Sequence, residues 1–252
     1  MSGVLIFKGM KIGILPGDLV ISPDKSDSST PDASLSLSTS YNMMPIWLRM
    51  AKDNLRIAKN ANIKISEQWN LANSDKKELL ISEMIPSLQV VVSCAICVDA
   101  FYDLIKPHVK IPADEVKAWR KNKTKRSTQV AESIKRTYKL NNSVLNQVRN
   151  NITEIFNWRD RAVHPSHALQ RACLRDDISV GVDWKFAVYR HKNADVVYNT
   201  TMGMLLYLYD LKSNMKELDD DMESVISALL ELNLIQKTSQ PSDAPEPASP
   251  AR

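Results

Sequence analysis

The 252-residue chain carries 33 Lys and Arg against 29 Asp and Glu, a net charge of +4 that is too mild to name a partner by itself. Hydrophobic residues at 44% and charged residues at 25% are ordinary for one good-sized globular domain with appendages. Six glycines, with no G-x-G-x-x-G and no G-x-x-x-x-G-K-S/T, argue against a glycine-cradled nucleotide site, and three cysteines do not build a disulfide framework.

The N-terminus lacks a basic segment followed by a hydrophobic run and cleavage site. No uninterrupted apolar run approaches the ~18–20 residues of a membrane span. A soluble, cytoplasmic protein without membrane contact is expected. Residues 1–20 alternate weakly, with Val4, Ile6, Ile12 and Ile14, and fit a short hairpin or an added strand. Residues 22–40 are serine-rich and interrupted by Pro23 and Pro31, a composition that buries too little apolar surface to offset ordering. They read as a flexible linker or loop. Residues 237–252 form a proline-rich tail expected to be disordered, which leaves 41–236 as the folded unit.

That unit reads as all-α. Pro45 stands near the start of a helix in which Trp47, Met50, Ala51, Leu55 and Ala58 keep helical spacing. Residues 75–106 are apolar on nearly all sides and predict the central, most buried helix, kinked or divided at Pro86. Cys94-Ala95-Ile96-Cys97 has C-x-x-C spacing there but no second pair, so small residues on a buried helix explain it better than a metal or redox site. No metal and no cofactor are expected.

Pro112 opens a short helix, Ser127 is placed to cap another, and a third runs from 141 to 164. Residues 178–189 alternate at period two, with Val180, Val182, Trp184, Phe186 and Val188 on one side, and predict a strand or half of a hairpin. A hydrophobic helix around Met204 to Leu211 and a last one from Asp220 to Leu234, opening on acidic residues, complete the domain.

Between Lys117 and Lys139 nine basic residues face one acid, Glu132. The plain reading is a solvated, lysine-rich face. The sharper one is an electrostatic footprint for RNA through Arg120, Lys121, Lys123, Lys125 and Arg126, with Trp119 and Tyr138 flanking as stacking or core residues. His108 and His191 stand apart and are expected at the surface. Ser166 lacks the glycines of a nucleophile elbow, which argues against a serine hydrolase.

The 141–164 helix carries the unusual feature. At about 100° per residue, Leu145, Val148, Ile152, Ile155, Phe156 and Val163 share one stripe, and Arg159 falls inside it. A permanent charge on an apolar face needs a partner or a purpose. His164 follows five residues later, directly before Pro165, where the helix should stop.

The run Arg159-Asp160-Arg161-Ala162-Val163-His164 resembles the R-x4-6-H motif of HEPN domains, small all-helical units in which a polar residue often follows the arginine, as Asp160 does here. The order of a long apolar helix, a basic insertion and then the motif helix is also similar, so the resemblance covers about residues 42–215. Arg161-x5-His167 fits the spacing as well. Arg159 and His164 are preferred because Arg161 lies opposite the apolar stripe.

The resemblance implies a HEPN-like helical bundle with a short β strand or hairpin insertion. It also implies metal-independent endoribonuclease chemistry on single-stranded RNA, in prokaryotic defence or as a toxin. Family members commonly pair two copies across a homodimer, and an antitoxin or regulatory protein is a further possible partner. Arg159, His164 and Asp160 would form the catalytic set. Asp99 resembles the acidic residue that many members carry on the apolar helix, where it would orient Arg159; a local helix salt bridge is the alternative. Chemically the set is adequate. An imidazole titrates near ~6.5 and can move protons around neutrality, while a guanidinium can hold a phosphate bidentately. Two other readings stay open: a non-catalytic HEPN-like dimerisation or binding module, and an unrelated bundle in which Arg159 pairs with Asp99 and His164 merely ends a helix.

Overall fold

The computed structural model describes residues 4–6, 9–22, 32–164 and 168–236. Its described part is mainly α: eight helices and three two-stranded antiparallel sheets. Residues 237–252 lie outside the described residues.

The chain begins with an arm. β1 (Met10–Gly13) pairs with β4 (Ser38–Tyr41), and β2 (Leu19–Ser22) pairs with β3 (Asp32–Leu35), so the two ladders are nested parts of one hairpin. Asp18 ties the interruption between them, its Oδ2 accepting from Leu15 N at 2.7 Å and Ser38 Oγ at 3.1 Å. The expectation of a flexible 22–40 linker or loop is thus corrected at 22, 32–35 and 38–40, where pairing between β1 and β4 and between β2 and β3 satisfies the backbone. Residues 23–31 lie outside the described residues. Lys11 forms an ion pair with Asp221, fastening the arm to the helical body.

α1 (Met44–Gln68) starts with Pro45 in its first turn, as the sequence predicts, and buries Leu48, Ala51, Leu55, Ala58, Ala61 and Ile65 along one face. α2 (Lys76–Ile105) is capped by Asp75, whose side chain accepts from Glu78 N at 3.0 Å. It runs unbroken through the buried Pro86, so of the two expectations there, a kink or a division, the division does not occur. Its packing, heaviest against α1, supports the helix where proline removes a backbone bond. α2 is long and apolar enough to cross a membrane by length and composition alone. Much of its apolar surface packs against α1, α4, α5 and α7, as in the core helix of a bundle, while Ile85 stays exposed.

α3 (Ala113–Lys121) follows Pro112. α4 (Arg126–Thr137) is preceded by Lys125 rather than capped by Ser127, which is instead buried inside its first turn. α5 (Asn142–Val163) is capped by Asn141, accepting from Val144 N at 2.9 Å. β5 (Cys173–Arg175) and β6 (Val180–Val182) form a short hairpin. The predicted 178–189 strand survives only as β6. Asp183 accepts from Lys185 N at 2.9 Å and turns the chain into α6 (Trp184–Val188), burying Trp184. A local cap has overridden the alternating pattern. α7 (His191–Leu211) and α8 (Lys216–Glu231) close the bundle, α8 starting four residues before the predicted Asp220. Glu217 and Asp219 occupy its first turn, favourable against the helix dipole.

Candidate functional site

α5 packs Leu145, Val148, Ile152, Ile155 and Phe156 into the core against α2 and α4. The stripe ends before the helix does: Val163 is 53% exposed, because the last turn has run past its neighbours. Arg159 sits at that margin. Its guanidinium stacks 4.9 Å above the Phe156 ring, and its Nε lies 2.8 Å from Asp160 Oδ1 without the alignment of a hydrogen bond. The odd arginine is therefore accommodated by a ring face and by its own neighbour's carboxylate.

Five residues of helix turn about 500°, so His164 leaves α5 about 140° away from Arg159. It is the C-cap residue, its backbone N donating to Asp160 O at 2.8 Å. On that other side Glu154, Asn157, Arg161 and His164 follow a 3-4-3 spacing and form one polar row. With Trp158, Asp160 and Lys125 they line an open hollow of about 440 Å³. The structure thus brings His164 together with Arg161, Asp160 and Lys125, and does not place Arg159 in that hollow. The 3-4-3 row is present in the sequence, but the apolar stripe beside it is the stronger pattern and points to Arg159. Pro165, Ser166 and His167 lie outside the described residues, and with them the Arg161–His167 pair.

Two contacts brace the hollow from the segment whose alternation predicts a strand. The Arg161 guanidinium lies 4.5 Å from the Trp184 ring centre, and Tyr189 Oη donates to Trp158 O at 2.9 Å. Burial pushes the Tyr189 phenol up to about 12, so it remains a donor throughout the physiological range.

Asp99 does not orient Arg159. Its Oδ1 lies 2.9 Å from Arg126 Nε, and the same guanidinium covers the Tyr102 ring at 4.8 Å. The partner arrives from the start of α4, so this is a tertiary contact rather than a local helix pair. Arg126 is consequently engaged, whereas Arg120, Lys121, Lys123 and Lys125 are exposed around the α3–α4 turn, where Lys123 adopts a left-handed φ of 50°. Trp119 is half-buried; Tyr138 is buried, which withdraws it as a stacking platform.

Cys94 and Cys97 are free and fully buried, and burial pushes the Cys94 thiol up to about 12 and Cys97 well above its ordinary value. Such thiols resist the deprotonation that redox or metal chemistry requires. Among the described residues, no group of three His, Cys, Asp or Glu side chains is arranged to hold a metal ion. His108 is not an isolated surface residue: its ring nitrogens lie 3.8 Å from Glu217 and 3.9 Å from Asp221, beside the Lys11–Asp221 pair.

Comparison of the chain with protein-family models, with curated proteins and with solved structures finds no match, so its functional reading rests on its own residues and geometry.

Proposed function

We propose that the protein is a HEPN-like, metal-independent endoribonuclease acting on single-stranded RNA, with His164 as the proton-transfer group and Arg161 and Lys125 as the phosphate-binding groups. One observation supports this above the others: an imidazole and two cations open into a single hollow of about 440 Å³ at the end of α5. His164 takes the proton of a ribose 2′-OH. The 2′-oxygen attacks the adjacent phosphorus, and the bond from phosphorus to the 5′-oxygen breaks. Charge growing on the phosphate oxygens meets Arg161 and Lys125. The departing 5′-oxygen takes its proton from an acid, for which a second copy's His164 in a homodimer is the proposed source. The products are a 2′,3′-cyclic phosphate and a 5′-hydroxyl.

In this reading Arg159 is a positioning residue. It pairs with Asp160, and Asp160 lines the hollow with His164. The exposed cations of the α3–α4 turn draw the polyanion toward Lys125. A defence or toxin setting, with an antitoxin as partner, follows from the family resemblance alone and belongs to the same proposal.

The test is cleavage of single-stranded RNA in EDTA, with end-group analysis, for the wild type beside His164→Ala. Cyclic phosphate ends from the wild type and none from the folded variant are expected. RNA left intact at high protein concentration would falsify the proposal. Cleavage that survives His164→Ala but fails in His167→Ala assigns the chemistry to Arg161 and His167 instead.

A second reading is a non-catalytic dimerisation or binding module of the same shape. It is favoured by the engagement of Arg159 with Phe156 and Asp160, and of Asp99 with Arg126. It predicts RNA retention without cleavage in the same assay.

A further inference from the structure

A second concave site lies between α1 and α7 and shares no residue with the hollow around His164. It encloses about 400 Å³ and is lined by Lys52, Arg56 and Lys59 from α1, with His191 and Asp195 from the first turns of α7. The 52-56-59 spacing puts the three cations on one ridge of α1. None of the three has an ion-pair partner among the described residues. Lys52 is held in place by the buried Tyr198, whose ring centre lies 5.1 Å from its Nζ.

Two carboxylates reach the same cavity, and their charges decide what it can take. Asp53 is occupied by Arg49, Nε to Oδ2 2.9 Å, and that arginine lies outside the lining. Lys52, Arg56 and Lys59 against the remaining Asp195 leave a surplus of two positive charges before any contribution from His191. A phosphomonoester carries about −1.5 to −2 at pH 7, which matches the surplus, and its three oxygens accept from several donors at once. The His191 backbone N already donates to Glu83 Oε1 at 3.0 Å, so recognition falls to the side chains.

We propose that the α1–α7 cavity is a binding site for a phosphomonoester, held by Lys52, Arg56 and Lys59 with the His191 imidazole at its edge. The terminal phosphate can belong to a free nucleotide or to the 5′ end of an RNA. This site stands independently of the ribonuclease reading, because binding here requires no cleavage.

The test follows the His191 ring resonance by NMR in the full chain, assigned through His191→Asn, during titration with AMP and with adenosine. AMP is expected to shift it saturably and adenosine to leave it in place. Arg56→Gln and Lys59→Gln, checked for unchanged thermal midpoints, are expected to weaken AMP binding about ten- to a hundred-fold, as removal of a charge-assisted hydrogen bond does. His164→Ala is expected to bind AMP as the wild type does. Equal responses to AMP and adenosine, no response up to about 10 mM AMP, or undiminished binding by both α1 variants overturns the site. A 5′-phosphorylated oligoribonucleotide beside its 5′-hydroxyl form then separates the sources: discrimination between them assigns the site to RNA ends, and its absence alongside AMP binding assigns it to free nucleotides.

Discussion

Glu83 and Arg175 meet in an ion pair closed to solvent, Oε2 to Nη1 at 2.8 Å, with the two residues 0% and 1% exposed. Glu83 Oε1 also accepts from Asn62 Nδ2 and from His191 N, each at 3.0 Å. The Arg175 guanidinium spans both oxygens of Asp177, at 2.6 and 3.0 Å. α1, α2, the β5–β6 hairpin and the start of α7 are thus tied at one point, and each member of the knot is partnered.

Removing one member strands the other in a dry interior. Glu83→Ala is expected to cost about 3–5 kcal/mol, whereas replacing Glu83 and Arg175 together by apolar residues of similar volume should cost much less than the sum of the two single losses. Urea denaturation of the two single variants and the double variant measures this. Additive losses would show that the pair is not coupled.

The same knot makes stability sensitive to acid. The Arg175 guanidinium beside Asp177 holds its carboxyl below the ordinary carboxylate range, and Arg190 does the same for Asp176. A depressed carboxylate contributes stability that is complete above its unfolded pKa, about 3.9, and is lost as pH falls through the lower folded value. Asp177→Asn should therefore flatten the decline of the denaturation midpoint below about pH 4, with the Asp176 part remaining. An unchanged acid slope would place the titration elsewhere.

The Tyr189 hydroxyl donates to Trp158 O near the end of α5. Tyr189→Phe is expected to lose about 1 kcal/mol, a shift of roughly 2–4 °C in a chain of this size. It should also lower any RNA cleavage, because Trp158, which lines the hollow, loses its hydrogen-bonded brace. Thermal melts and a cleavage time course check the two effects separately.

Within the proposed site the two arginines should differ. Arg161→Ala removes a phosphate-binding group and is expected to slow cleavage about 10²-fold or more. Arg159→Lys keeps a cation for Asp160 and should retain most activity, while Arg159→Ala should not. Rates in which Arg159 matters and Arg161 does not would return the phosphate to Arg159, in a geometry completed by a second copy.

RNA binding should show the unequal status of the basic residues. Substituting Lys121, Lys123 or Lys125 by Gln leaves one phosphate without its cation, and each such change should reduce the slope of log affinity against log salt by about 0.7. Arg126→Gln should leave that slope nearly unchanged and instead lower stability, since Arg126 is bound to Asp99 and Tyr102. Fluorescence anisotropy across a salt series distinguishes the two behaviours.

Much of the helical framework was legible in the chain itself. The helical spacing of Ala51, Leu55 and Ala58, the continuous hydrophobicity of 76–105, and the stripe of Leu145, Val148 and Ile152 are local signals that specify helices and their buried faces, although Met50 of the first stripe is exposed and Leu48 is buried instead. The failures have one local and one non-local cause. Asp183 capping Trp184–Val188 looks like one more polar position in an alternating strand, and the strands at 32–35 and 38–41 depend on partners some ten to thirty residues away.

Which charges meet is set by tertiary packing alone. Asp99 could be matched to Arg159 on sequence order, but Arg126 reaches it first across the α2–α4 contact. Glu83 and Arg175 stand 92 residues apart and share no pattern that would pair them. Hydrophobic periodicity is written into neighbouring residues because a helix repeats every 3.6 of them. The partner of a charge depends on where distant helices bring their ends, which is why the Arg159 of the α5 stripe resolved to a residue beside the candidate site and His164 to one inside it.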